Sequence, residues 1–338
     1  MSDVKARFLR YIQIETTSDV TCGACPSSQG QWTLARMLVD EMKALGIQDA
    51  RVDEHGYVYG TVPAKGDHPA RVGLIAHMDT SDGVKGPTHP QVIPNYNGQA
   101  ITLQNGVTID GFDFLPGLKG QELIVTGGDS VLGADDKAGI AEIMALAARL
   151  TAPDAPEHCT VCLAFTPDEE IGRGADLFDV AGFGAEYAYT VDGGPVGELE
   201  FENFNGASCQ VEVRGVNIHP GSAKNQMKNA ALIAMEWNSL LPPWETPAHT
   251  EGYEGFFHLT RMEGNEERAV LSYIIRDHSA AVYEKRKETC RKITAYLNDK
   301  YGEGTVTLKL HDSYRNMREQ LEPHMHIIDK ARAAFERC

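Results

Sequence analysis

The order of strand-like and helix-like segments predicts an α/β protein, with a mainly parallel sheet carrying an inserted α+β domain of ferredoxin-like order. Three observations lead there. Short apolar runs alternate with amphipathic helical stretches up to about residue 205, the next hundred residues read β-α-β-β-α-β, and a last helix follows with no strand partner of its own. At 338 residues the chain is also longer than one typical core supports, so two domains are expected.

Taken in order, Trp32 to Gly46 sets Leu34, Leu38, Met42 and Leu45 on one helical stripe, and Val72 to Ala76 is an apolar run of strand length. A helix rich in Ala, Ile and Leu is predicted over Ala138 to Leu150, and strands over Val161 to Phe165 and Tyr187 to Val191. Strand, helix, strand in this order calls for a parallel sheet covered on both faces. Gln210 to Arg214 then alternates apolar and polar residues, as a strand with one solvated face does. A helix over Ala223 to Leu241, strands over Phe257 to Met262 and Val270 to Arg276, a helix carrying Tyr283, Arg286, Cys290, Ile293 and Leu297, and a strand over Thr305 to Leu310 complete the unit. Pro323 to Arg337 reads as the last helix. The predicted domains are 1–206, an inserted 207–316, and 317–338 as a return to the first.

Composition narrows the function classes. Hydrophobic residues make up 42% and charged residues 23%, which describes a folded globular chain. The net charge is -17 and Lys and Arg are scattered, so neither nucleic acid nor an anionic membrane is an expected partner. The charged start, Met1 to Arg7, lacks the apolar core of a secretory signal and no run approaches a membrane span, so a cytoplasmic location is expected. Seven cysteines suit a reducing compartment. The spaced pairs Cys22/Cys25 and Cys159/Cys162 raise a zinc knuckle, but residues three apart on the strand that holds Cys162 point to opposite faces.

Four short segments concentrate metal-ligand chemistry: His77-Met78-Asp79, Asp135-Asp136-Lys137, Asp168-Glu169-Glu170 and Asp192-Gly193-Gly194. Three of them follow directly on a predicted strand, and sites in open parallel sheets form outside the carboxyl ends of strands. His77 and Asp79, two apart on extended chain, face the same side, so Asp79 can orient a metal-binding imidazole. Asp135 can bridge two cations or merely cap the helix that follows. Of the adjacent Glu169 and Glu170, one can bind metal while its neighbour acts as general base, the alternative being a solvated pair. Asp192 is a ligand or a plain turn residue. Together they offer one imidazole and several carboxylates, a set suited to zinc with an open water position.

These strings resemble the peptidase T family. The resemblance is carried by Ile75-Ala76-His77-Met78-Asp79-Thr80-Ser81, Leu132-Gly133-Ala134-Asp135-Asp136-Lys137-Ala138-Gly139, Ala164-Phe165-Thr166-Pro167-Asp168-Glu169-Glu170, Tyr189 to Gly194, and Gly197 to Asn205. It runs over essentially the whole chain. Carboxypeptidase G and the aminoacylases share the metal pattern, whereas the Thr166–Glu170 context and the Glu200-Phe201-Glu202-Asn203-Phe204-Asn205 stretch resemble peptidase T in particular. The resemblance implies a zinc-peptidase-like catalytic domain and a cytosolic tripeptidase with two zinc ions. His77 and Asp192 would bind the first, Asp135 would bridge, Glu170 would bind the second, Glu169 would be the general base and Asp79 would orient His77. It further implies a lid with His219 and Arg276 facing the substrate; the exposed sheet edge a ferredoxin-like lid presents could pair in a homodimer. Without the family His219 and Arg276 read as a turn histidine and a strand-end arginine.

The resemblance also implies a further segment, Gly-Gly-Thr-Asp-Gly, and then a histidine for the second zinc. Nothing after Asp192 matches either, and His324 and His326 open a helix that the family also has, so the chain is expected to stop short of that ligand. The leading expectation is therefore an aminopeptidase acting on tripeptides, by attack of water activated at the zinc pair. The competing ones are an N-acyl amino acid amidohydrolase of the same group, and an inactive metal-binding form lacking the last zinc ligand.

Overall fold

The computed structural model describes residues 3–86, 88–194 and 196–337. Contacts divide the chain into two compact units, Met1–Val196 and Gly197–Cys338. Residues 317–338 fall with the second unit, where the sequence reading attached them to the first.

The first unit runs α1 (Asp3–Tyr11), α2 (Gln29–Ala44), β1 (Arg51–Val52), β2 (Val58–Val62), β3 (Arg71–His77), β4 (Gln91–Ile93), β5 (Ile101–Thr102), β6 (Thr108–Ile109), β7 (Leu123–Val125), α3 (Ala134–Thr151), β8 (Thr160–Thr166), α4 (Val180–Phe183) and β9 (Tyr187–Thr190). Its main sheet has the order β1-β2-β8-β3-β9. β8, β3 and β9 are parallel, while β2 lies antiparallel to β8 and β1 to β2. The parallel part is the part the sequence predicts. The antiparallel edge went unread because β1 has only two residues and β2 carries Gly60.

β8 shows why an uninterrupted apolar run marks a central strand. Val161, Leu163 and Phe165 join the core beneath α1, α2 and α3, while Cys162 and Ala164 pack with Tyr57, Tyr59 and Phe183 on the other face. The expected stripe on α2 is present, with Leu34, Leu38 and Met42 fully buried. Gly46, at φ 89, takes the left-handed position that ends this helix. The segment from Thr88 to Val131 holds two small antiparallel sheets of two strands, β4 with β7 and β5 with β6, around Tyr96, Ile101, Leu103 and Leu115. No sequence pattern announced them, since strands of two or three residues are too short to show a period.

The second unit contains β10 (Asn205–Arg214), α5 (Ala230–Ser239), β11 (Phe256–Gly264), β12 (Arg268–Asp277), α6 (Ala280–Tyr301), β13 (Val306–Tyr314), α7 (Arg318–Leu321) and α8 (His326–Phe335). Its four-stranded sheet has the order β11-β12-β10-β13 with every neighbour antiparallel, the ferredoxin-like arrangement expected. One face is closed by α5 and α6, where Trp237 is fully buried with Nε1 donating to Thr294 Oγ1 at 3.1 Å.

Two helices differ from their predicted extent. α5 starts at Ala230 and not at Ala223, because Lys228 pairs with Val216 and Asn229 caps the helix by accepting from the Leu232 amide. The last helix is broken, with a short 3-10 turn at Glu322–His324 ahead of α8.

Candidate metal centre

The parallel register places the site. His77, the last residue of β3, pairs with Thr166, the last of β8, and the Val191 amide donates to Ile75 O at 2.7 Å beyond the end of β9. The segments following three adjacent strands therefore leave the sheet at the same edge, which brings His77, Asp168–Glu170 and Asp192 together.

α3 supplies the fourth segment. Asp135 and Asp136 lie at its start with non-helical ψ values of 107 and 34, so regular turns begin after them. The sequence left open whether Asp135 caps this helix. The capping bond comes instead from Asp136, whose Oδ1 accepts from the Gly139 amide at 3.2 Å. Asp135 is thereby free to face His77, with Oδ1 2.8 Å from Nε2.

His77 is 2% exposed and stands at the middle of the cluster. From its Nε2, Asp192 Oδ2 lies 3.8 Å away and Glu169 Oε2 3.9 Å. On the other side of the ring, Nδ1 is 3.1 Å from the Asp79 carbonyl oxygen and 3.3 Å from Asp79 Oδ1, so Asp79 touches the imidazole through both its backbone and its side chain. The Asp79 carboxylate, fully buried, also accepts the backbone N–H groups of Glu169 at 2.9 Å and Glu170 at 3.1 Å. One carboxylate thus holds the imidazole and the turn bearing both glutamates.

Asp136 was not assigned a role from sequence. It is 3% exposed, and its Oδ2 accepts the His77 backbone N–H at 3.1 Å. Burial, then the charge of Asp192, push its carboxyl up to about 8, against the opposing pull of His77. Glu169, Glu170 and Asp192 are all raised as well, first by burial. Burial alone would lower His77, but the hydrogen bond and charge of Asp79, with Asp136 and Asp192, carry it up to about 10. Lys137 is buried, donates to Ile14 O at 2.7 Å, and is lowered to about 8 by burial despite the attraction of Asp79.

Such crowding of like charge is what a cation relieves. Two groups have ligand atoms all within 4.8 Å of one another: His77 with Asp135 and Glu170, and His77 with Asp136 and Asp192. These are the groups of three or more candidate ligands found among the described residues; neither includes a cysteine, and neither is the set of His77, Asp135 and Asp192 expected for the first ion. Imidazole and carboxylate donors suit zinc and related divalent ions.

The other two residues singled out from sequence lie in the second unit. His219 is exposed, precedes a 3-10 turn, and accepts the Gly221 amide on Nδ1 at 3.2 Å. Arg276 lies on β12 opposite Gly206, with Cζ 6.0 Å from the Tyr314 ring centroid and its buried Nε without a hydrogen-bond partner among the described residues.

Residues 201–305 match the model of a peptidase dimerisation domain. The chain is 53% identical over 343 aligned positions to peptidase T of Desulfitobacterium hafniense strain Y51, covering 99% of this chain and 83% of that one. It is 51% identical to peptidase T of Halothermothrix orenii, with 99% and 84% covered. The crystal structure of aminopeptidase PepT from Bacillus cereus superimposes with a TM-score of 0.72 at 20% identity, over 93% of this chain and 76% of that one, a likeness of fold. With half of its residues identical over nearly its whole length, this chain belongs to the peptidase T family.

Proposed function

We propose that this chain releases the N-terminal residue of tripeptides, the activity its family membership carries, at two zinc ions held around His77. The supporting observation is the cluster itself. One buried imidazole lies among Asp135, Asp136, Glu169, Glu170 and Asp192, and the last four have raised proton affinity. His77, Asp135 and Asp192 would hold one ion, and Asp135 and Glu170 the other. Bound zinc supplies a Lewis acid that polarises the scissile carbonyl and acidifies water.

The chain's own residues account for the remaining chemistry. Glu169 is the general base: its side chain is half exposed, its Oε2 lies beside His77, and its raised proton affinity suits a group that takes a proton and gives it back. As the water oxygen bonds to the carbonyl carbon and the C–N bond breaks, Glu169 carries the proton from the water to the leaving amine nitrogen. Asp79 fixes the imidazole and the turn that bears the base. His219 and Arg276 are the proposed substrate-binding residues, and the dimerisation domain is the proposed surface for pairing two copies.

The test is hydrolysis of tripeptides with free and with acylated amino termini by zinc-loaded protein. Cleavage of the free-amine substrates is expected, and Glu169→Gln should lower kcat by about 10²–10⁴-fold while retaining metal. Cleavage of acylated substrates alone would reject the reading in favour of an amidohydrolase.

A further inference from the structure

The most buried carboxylate next to the proposed base has no part in the chemistry above. Asp168 is fully buried, and yet no cation pairs with it among the described residues. Four contacts stabilise its carboxylate. The Ser27 backbone N–H donates to Oδ2 at 2.8 Å and to Oδ1 at 3.1 Å, Ser27 Oγ donates to Oδ1, and Gln31 Nε2 donates to Oδ1 at 2.8 Å. Gln31, also fully buried, returns the contact, because its Oε1 accepts the Asp168 backbone N–H at 3.1 Å. These donors stand at the start of α2, where the helix dipole favours a negative charge. Burying a carboxylate costs several kcal/mol unless it is hydrogen-bonded in this way, so the anchor is specific to a negatively charged acceptor.

The backbone of Asp168 is equally particular. Its φ of 56 lies in the left-handed region, which residues other than glycine rarely adopt and which the surrounding bonds must hold. That turn sends Glu169 and Glu170 out of the sheet with their N–H groups on Asp79, while the Gly172 and Arg173 amides close it on Glu169 O and Asp168 O. Glu169 is therefore held between two clamps, α2 through Asp168 on one side and β3 through Asp79 on the other.

We infer that Asp168, locked to Gln31 and Ser27, is the positioning residue for the general base; this rests on the reading of Glu169 given above. Asp168 belongs to neither group of candidate metal ligands. It sets the backbone from which the Glu169 carboxylate reaches the water, and a displacement of about 1 Å at such a group can cost on the order of 100-fold in rate.

The experiment is a set of variants of the whole chain assayed on a tripeptide, with melting temperature and zinc content measured on each. Asp168→Asn keeps the shape and offers two donors where the wild type has an acceptor; kcat should fall about 10–100-fold per folded, zinc-loaded molecule, with KM unchanged. Gln31→Glu alone sets two carboxylates against each other and should lower kcat likewise. The double variant lets the new amide donate to the new carboxylate and should raise kcat above that of the worse single variant. If Asp168→Asn fails to fold, Gln31→Met removes both bonds from the other side and should show the same loss confined to kcat. Wild-type kcat in these variants, or a double variant no better than the worse single, overturns the inference while leaving Glu169 as base. Full turnover by Glu169→Gln would instead overturn the reading of the base itself.

Discussion

The buried carboxyl of Asp136 makes the metal-free protein lose stability as pH rises, and Asp136→Asn isolates the effect. In the folded chain this group titrates near about 8 against an ordinary 3.8, first because of burial and then because of Asp192. A raised folded value means that the folded form keeps a proton the unfolded form has released. The stabilisation is complete below about pH 4 and is lost as pH rises through about 8. Between roughly pH 5 and 6.5 the folded chain holds one proton more at this site, so stability falls by about 1.4 kcal/mol per pH unit, or about 2 kcal/mol across the window. The raised Glu169, Glu170 and Asp192 add losses of the same sign to wild type and variant alike, and His77 does so only above its ordinary value of 6.5, which is why the window stops there. Asp136→Asn removes the titration but faces the His77 and Gly139 amides with one acceptor in place of two, a pH-independent cost of about 1–3 kcal/mol. Urea unfolding with a chelator present, at several pH values in the window, measures both proteins. The wild-type curve should fall more steeply by that slope, and parallel curves would refute the assignment of the proton to Asp136.

Three further outcomes follow from contacts described above. Asp79→Asn should weaken zinc binding about 10–100-fold in chelator competition, because the carboxylate beside Nδ1 also accepts two amides; unchanged affinity would show that the Asp79 carbonyl alone orients His77. Gly206→Ala should destabilise the chain by about 1–3 kcal/mol in thermal unfolding, since the new Cβ would lie 2.6 Å from the Tyr314 ring. The same change in a Tyr314→Ala background should cost much less. Tyr283→Phe, which strips a hydroxyl donating toward Gly206 O and Asp312 Oδ1, should cost about 1–2 kcal/mol in the same assay, and a change below 0.5 kcal/mol, taken as about the surface-substitution range, would count against a structural role for that hydroxyl.

The sequence alone determined the class of this protein and where its candidate metal-binding residues gather. Apolar runs at β3, β8 and β9 and the alternating pattern of β10 are set by how many faces each strand buries, so the parallel sheet and the ferredoxin-like unit were legible. Candidate metal-binding residues directly after strands were legible too, because strand ends are where such sheets place sites. The division of labour among the carboxylates was not. Which aspartate caps α3 and which faces the imidazole depends on the turn at Asp135–Asp136, and adjacent identical residues carry no signal for that. Asp168 reads in sequence as one more acid beside Glu169 and Glu170, and its separate fate follows from contacts with Ser27 and Gln31, 141 and 137 residues away. Residue type and local period are properties of a few neighbouring positions, whereas burial, charge state and hydrogen-bond partners arise when distant segments meet, and those fixed the working parts of the site.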